Sequence, residues 1–294
     1  MYRYSILLIA VLTTPAGWVA QASGDTRAND LLARARTALG GEGKLAKVAG
    51  LSATGTFTRV LPDRQLSGEL TIELQLPDKM LRTESMSPMG DATIVTLQGI
   101  NGDRLLRNSR TIGGGPNMVI RMTPPEPGSN AEAQAVRNQR AELTRMAVAL
   151  LLTSPASMPL EFAYGGEAEA EDGKASVLDV KGPGAFSARL FLDQTSRRPL
   201  MLAYKGVAPM MVMRTERGER GDKPATVGPP AKEAPAGAGP LVDITIFFDD
   251  YKAIDGVLLP HHVSRSIDGK PSEEWTFKTI KVNPTFAPDA FSGK

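Results

Sequence analysis

Over most of this chain apolar and polar residues alternate with a period of two, and the stretch SGELTIELQLPDKMLRTES, residues 67–85, carries the pattern most clearly. Leu70, Ile72, Leu74 and Leu76 fall on one side, and Glu69, Thr71, Glu73 and Gln75 on the other. Successive side chains of a strand point to opposite faces, so the stretch predicts a strand with one buried face. Pro77-Asp78 then turns the chain into a second strand, Lys79 to Ser85. Just upstream, LSATGTFTRV sets Ala53, Gly55 and Phe57 against Thr54, Thr56 and Thr58. DATIVTLQG is a further strand, closed by INGD, where Asn-Gly accepts the positive φ of a hairpin turn. The second half repeats the rhythm in MPLEFAYGGEAE, KASVLDVKG, FSARLFLDQTSRRPLMLAYKG and the long segment 242–282. Turn signals recur roughly every ten residues, the spacing of an antiparallel meander rather than of strands alternating with helices.

Two segments switch to helical spacing. In DTRANDLLARARTALGGEG, Leu31, Leu32, Ala35, Ala38 and Leu39 share a face until Gly40-Gly41 stops the helix. A longer helix is predicted over AEAQAVRNQRAELTRMAVALLLTSP, with Asn130 as its cap and Pro155 beyond its end. Val136, Leu143, Met146, Ala147 and Leu150 form its apolar stripe, and its last two turns are apolar nearly all round, which predicts an inserted end. Residues 110–130 read as loop, as does the acidic run EAEAED at Glu167–Asp172. Arg214 to Pro240 is low in apolar residues and predicts a disordered surface loop.

Composition narrows the class. The chain has 294 residues, 41% of them hydrophobic, so one sizeable core is within reach. A formal charge of +2 without a basic run excludes the usual nucleic-acid surfaces. The N-terminus starts with Arg3, continues as the apolar run SILLIAVLTT, and offers small residues at Ala20 and Ala22. That is a secretory signal, residues 1–22, cleaved after Ala22. It predicts a periplasmic protein in which residues 23–294 form one domain. The absence of cysteine removes disulfides, thiolate chemistry and a lipid anchor on cysteine.

Candidate chemistry is thin. The only histidines, His261 and His262, adjoin each other on a predicted strand and so face opposite ways. Two imidazoles so placed do not converge on one ion, so no metal site is expected; one ring should be half-buried and the other wet. No nucleophile elbow, zinc-protease, phosphate-loop or dinucleotide motif is present, which predicts a protein that is not an enzyme and has no cofactor. The 12 methionines, with MMVM at Met210–Met213, suit either ordinary gap-filling in the core or a lining that accepts varied apolar ligands.

Three stretches together resemble the LolA/LolB-like family of periplasmic lipoprotein carriers. They are the strand and turn around Gly68, Pro77 and Arg82, the turn around Asp193, Thr195 and Pro199, and the hairpin with Tyr251, Asp255, Gly256 and Pro260. The resemblance covers most of residues 26–291. It implies an α+β, mainly β fold: one strongly curved antiparallel sheet, a half-open barrel, with helices over the concave face. It further implies that this face holds acyl chains of a lipoprotein or lipid, exchanged with a loading or receiving protein in the inner or outer membrane. The face assignments make Phe57, Leu70, Ile72, Leu74 and Leu76 the candidate ligand-binding wall, with Leu143, Met146 and Leu150 as the lid. The family's inward-facing arginine has only Arg59 as a counterpart. The rival reading is an envelope sensor or scaffold whose concavity is filled by its own helices.

Overall fold

The structure is a computed structural model that describes residues 10–11, 21–89, 92–113, 125–170, 173–207 and 240–293. The predicted signal cleavage site borders these residues, and most of the signal, MMVM and the predicted disordered loop up to Gly239 lie outside them.

The first half comprises a two-residue strand β1 (Ala10–Val11), helices α1 (Gln21–Ala38) and α2 (Glu42–Leu45), and strands β2 (Gly50–Val60), β3 (Gln65–Gln75), β4 (Lys79–Met89), β5 (Ala92–Asn101) and β6 (Arg104–Ile112). Helix α3 (Asn130–Leu151) leads to β7 (Glu161–Ala170), β8 (Gly173–Gly182), β9 (Phe186–Asp193) and β10 (Pro199–Val207). The chain closes with β11 (Leu241–Ile254), β12 (Val257–Ile267) and β13 (Lys270–Val282). All thirteen strands belong to one antiparallel sheet in the order β1-β7-β8-β9-β10-β11-β12-β13-β2-β3-β4-β5-β6. Among the described residues β6 and β7 are not paired, so the sheet is an open arc rather than a closed barrel. Its middle is a seam between the last strand and the first long one, with Trp275 opposite Phe57 and Glu273 opposite Arg59.

The inner face of the arc and the two long helices form one continuous core. α1 contributes Ala28, Leu31, Leu32, Ala35 and Leu39; α3 contributes Leu143, Val148, Ala149 and Leu151. Gly40 lies so close to the β11–β12 turn that a Cβ there would sit 2.2 Å from the Gly256 carbonyl oxygen, so only glycine lets the helix end dock. On the outer face, the C-terminal tail lays Phe291 against Leu81 and Leu106, with Phe286 stacked edge-on at 5.1 Å.

Four local expectations need correction. The cap of α3 is Ser129, whose hydroxyl accepts from the Glu132 N–H at 3.1 Å, while Glu132 reaches back to the Gly128 N–H. Asn130 is the helix's first residue instead. β6 runs on to Ile112 inside the stretch read as loop, because β5 offers it a full ladder of partners. The acidic run is strand through Ala170, since its charges are met sideways: Glu167 pairs with Arg27 and Glu169 with Lys174. His261 is buried rather than half-exposed, with its Nδ1 3.1 Å from the Leu259 carbonyl oxygen, and His262 is the half-buried ring.

Candidate functional site

Between α3 and the inner face of the arc lies an apolar cavity. Its wall is built from alternate residues of six strands: Leu51 and Ala53 of β2, Ile72 and Leu74 of β3, Leu202 of β10, Ile246 and Phe248 of β11, Leu259 and Val263 of β12, and Trp275, Phe277 and Ile280 of β13. Its roof is one stripe of α3: Glu142, Arg145, Met146, Ala149 and Leu150. The period-two rule on the sheet and the helical repeat on α3 bring these side chains together. The enclosed space is about 50 Å³, on a scale where one water needs roughly 10–15 Å³. It takes a few methylene groups as it stands; a longer apolar chain needs α3 to draw back.

Of the candidate ligand-binding residues, Ile72, Leu74, Met146 and Leu150 line this cavity. Phe57, Leu70 and Leu143 are buried in the same core without reaching the lining, and Leu76 is half-buried at its margin. Among the described methionines Met146 lines the cavity, while Met80, Met86, Met158 and Met201 are packed elsewhere in the interior. Of the two roles the sequence leaves open for methionine, gap-filling in the core is thus the commoner among the described residues, and the lining is built mainly from leucine, isoleucine and aromatic side chains.

One margin of the cavity is charged. Glu84 and Glu273 are only 4% and 5% exposed, and two arginines bridge them. Arg59 lies 2.9 Å from Glu84 and 2.5 Å from Glu273; Arg82 lies 2.6 Å and 2.7 Å from the same carboxylates. Burial pushes the Glu273 carboxyl up, but Arg82 and Arg59 outweigh it and hold the group below the usual glutamate range. Burial likewise pushes Arg59 down, and Glu273 and Glu84 reverse this, leaving the guanidinium above its ordinary value. Arg82 also stacks over the Trp275 ring at 4.7 Å. Further round the arc Arg145 stacks over Tyr204 at 3.8 Å. Burial, with Glu142 nearby, pushes the Tyr204 phenol up to about 12. So Arg59 does face inward, but it is one corner of an ion network and not a lone charge.

Several solved proteins align with most of this chain at low sequence identity. A LolA superfamily protein from Nitrosomonas europaea aligns over 90% of this chain and 96% of its own, at 11% identity and a TM-score of 0.48. A DUF1329 family protein from Desulfovibrio piger aligns over 91% and 97%, at 8% identity and 0.48. A Vibrio parahaemolyticus domain described as an outer membrane lipoprotein-sorting protein aligns over 92% and 96%, at 12% identity and 0.44. No family model matches the chain, and no curated protein matches it in sequence.

Two of the stretches that carry the family resemblance touch each other in the fold. The Tyr251 hydroxyl donates to the Pro199 carbonyl at 2.7 Å, and the Arg198 guanidinium lies over the Tyr251 ring. Tyr251 and Pro199 are a joint of the scaffold, while Pro260 of the same hairpin reaches the cavity lining. The two histidines of β12 are outside the lining, and among the described residues no group of three or more His, Asp or Glu is placed to hold a metal ion. The residues that sequence reasoning passed over are Glu84, Glu273, Arg145 and Trp275. A signal for them exists: Met80, Arg82, Glu84 and Met86 share one strand face, as do Glu273, Trp275 and Phe277. Charges at alternate positions with large apolar residues mark a charge turned inward.

Proposed function

We propose that this protein is a periplasmic carrier or binding protein for an acylated ligand, a lipoprotein or lipid, and that it works without catalysis. The observation that carries the reading is the apolar cavity roofed by one helix, α3. Each methylene group taken out of water contributes about 0.8 kcal/mol, so a handful suffices for useful affinity without any polar contact. The resemblance of three sequence stretches to the lipoprotein carriers supports the same reading. No helix among the described residues is long and apolar enough to cross a membrane. In this proposal a signal is removed after Ala22, residues 23–294 act as one domain, and a protein of the inner or outer membrane loads or receives the ligand.

The small size of the cavity favours a second reading: an envelope sensor or scaffold whose concavity is filled by α1 and α3. The two are separated by a built-in probe. The chain has two tryptophans, Trp18 and Trp275; Trp18 belongs to the proposed signal and Trp275 lines the cavity. In the mature protein, purified without detergent, a carrier shows added mass in its native mass spectrum or a shift of Trp275 emission on addition of palmitate or a palmitoylated peptide. A bare mass and an unmoved emission with both probes decide for the scaffold.

A further inference from the structure

The charged margin is short of acceptors. Arg82 Nε, Arg145 Nε, Arg265 Nε and Trp275 Nε1 are buried donors with no hydrogen-bond partner among the described residues. A buried donor without an acceptor forfeits its hydration with nothing in return, and native proteins seldom keep several together. These four belong to one connected patch. Arg82 stacks on Trp275 and bonds Glu273, Arg265 stands opposite Glu273 in the β12–β13 ladder, and Tyr204 is in contact with Arg265 and Arg145. Arg145 and Trp275 also line the apolar cavity. The groups on this patch are four guanidinium groups, Arg59, Arg82, Arg145 and Arg265, and three carboxyl groups, Glu84, Glu142 and Glu273, so one positive group is in excess. Donors without acceptors, an unmatched positive charge and an apolar slot meet at one place.

We infer that this margin is a head-group site for a single-chain anionic amphiphile: an acyl chain in the cavity, its carboxylate or phosphate accepting from Arg145 and Trp275. The inference rests on the carrier reading and narrows it, since a carrier of acyl chains alone needs no donors here. An anionic oxygen offers the acceptors this patch lacks and balances its extra charge. Charge-assisted hydrogen bonds from arginine are about twice as strong as neutral ones, so the head group adds selectivity to the affinity of the chain.

The test uses the mature protein and three probes with the same sixteen-carbon chain: palmitate, monopalmitoyl phosphatidylglycerol and the neutral 1-monopalmitoylglycerol, with dissociation constants from titration calorimetry. At least one anionic probe is expected to bind about tenfold or more tighter than the neutral one. Preference for palmitate assigns a carboxylate, and preference for the phospholipid a phosphate. Arg145→Met, which keeps the stem, and Trp275→Phe, which keeps a ring and removes the donor, are each expected to bring the anionic and neutral probes to within about twofold of each other, whatever the variant does to the affinity of the chain itself. Circular dichroism confirms that each variant is folded, and either variant alone decides. Equal binding of all three probes by the wild type overturns the head-group site and leaves the carrier reading standing. Binding of none overturns both.

Discussion

Glu273 holds together residues from three strands, so its neutralisation is felt by all of them. Glu273→Gln leaves Arg59 and Arg82 sharing Glu84 alone. Removing one partner of a buried ion pair costs about 3–5 kcal/mol, a loss to be read from urea unfolding at neutral pH. The pH dependence has a definite sign. The folded pKa of Glu273 lies below the ordinary glutamate value of 4.5, so its contribution is complete above that value and is lost as the pH falls through the lower folded one. As the pH falls below the ordinary glutamate value of 4.5 the wild type therefore loses stability more steeply than Glu273→Gln; parallel curves would remove this residue from the acid response. At this scale the sequence is legible in part. Leu70, Ile72 and Leu74 announce their inward face through clean alternation, and all three are buried. The charged residues beside them were passed over because a charge in a strand reads as solvent-facing until its neighbours two positions away are consulted.

α3 is the element on which the functional proposal turns. Its C-terminal end is anchored: Leu152 takes a left-handed conformation at the cap, and its carbonyl accepts from Arg36 Nε and Nη2 of α1 at 3.2 Å and 2.9 Å. Its middle is tied to the β5–β6 turn by the Arg140–Asp103 pair, whose aspartate is almost fully exposed. A roof that lifts pivots at the anchored end and releases the exposed tie. Leu150 faces the cavity two residues before the pivot. Leu150→Glu places a carboxylate against apolar walls, and uptake of palmitate is expected to fall at least about tenfold with the circular dichroism unchanged. Unaltered uptake by a folded variant would show that α3 is not the lid. The helix itself was plain in the sequence because its stripe repeats over many turns. Its start was misplaced by one residue because Ser129 and Asn130 are both good caps, and only the bond to Glu132 separates them.

For the molecule as a whole, the tail beyond β13 acts as an outer clasp. Phe291 is buried against Leu81 and Leu106, and its carbonyl accepts from Asn101 and Arg104. Phe291→Ala is expected to cost about 3–5 kcal/mol, visible as a lowered thermal midpoint; a change below about 0.5 kcal/mol would mean that the tail covers the sheet without holding it. The strands were legible one by one because each carries its own period. Their order was not, since nothing local in SEEWTFKTI states that it pairs with LSATGTFTR rather than with another strand. The resemblance implies the open arc as a whole but not this pairing, which only the structure gives.

The seam at the middle of the arc has a consequence for how the molecule is made. Arg59 and Glu273 are 214 positions apart, and ribosomes add about 5–20 residues per second, so roughly ten to forty seconds separate their synthesis. Until β13 arrives, β2 is a bare sheet edge with Phe57 and Arg59 uncovered. Pairings this distant in sequence form slowly and leave aggregation-prone surface exposed while they wait. The protein's most vulnerable moment is thus set by the order of its strands, and a helper that shields one edge for less than a minute would answer it.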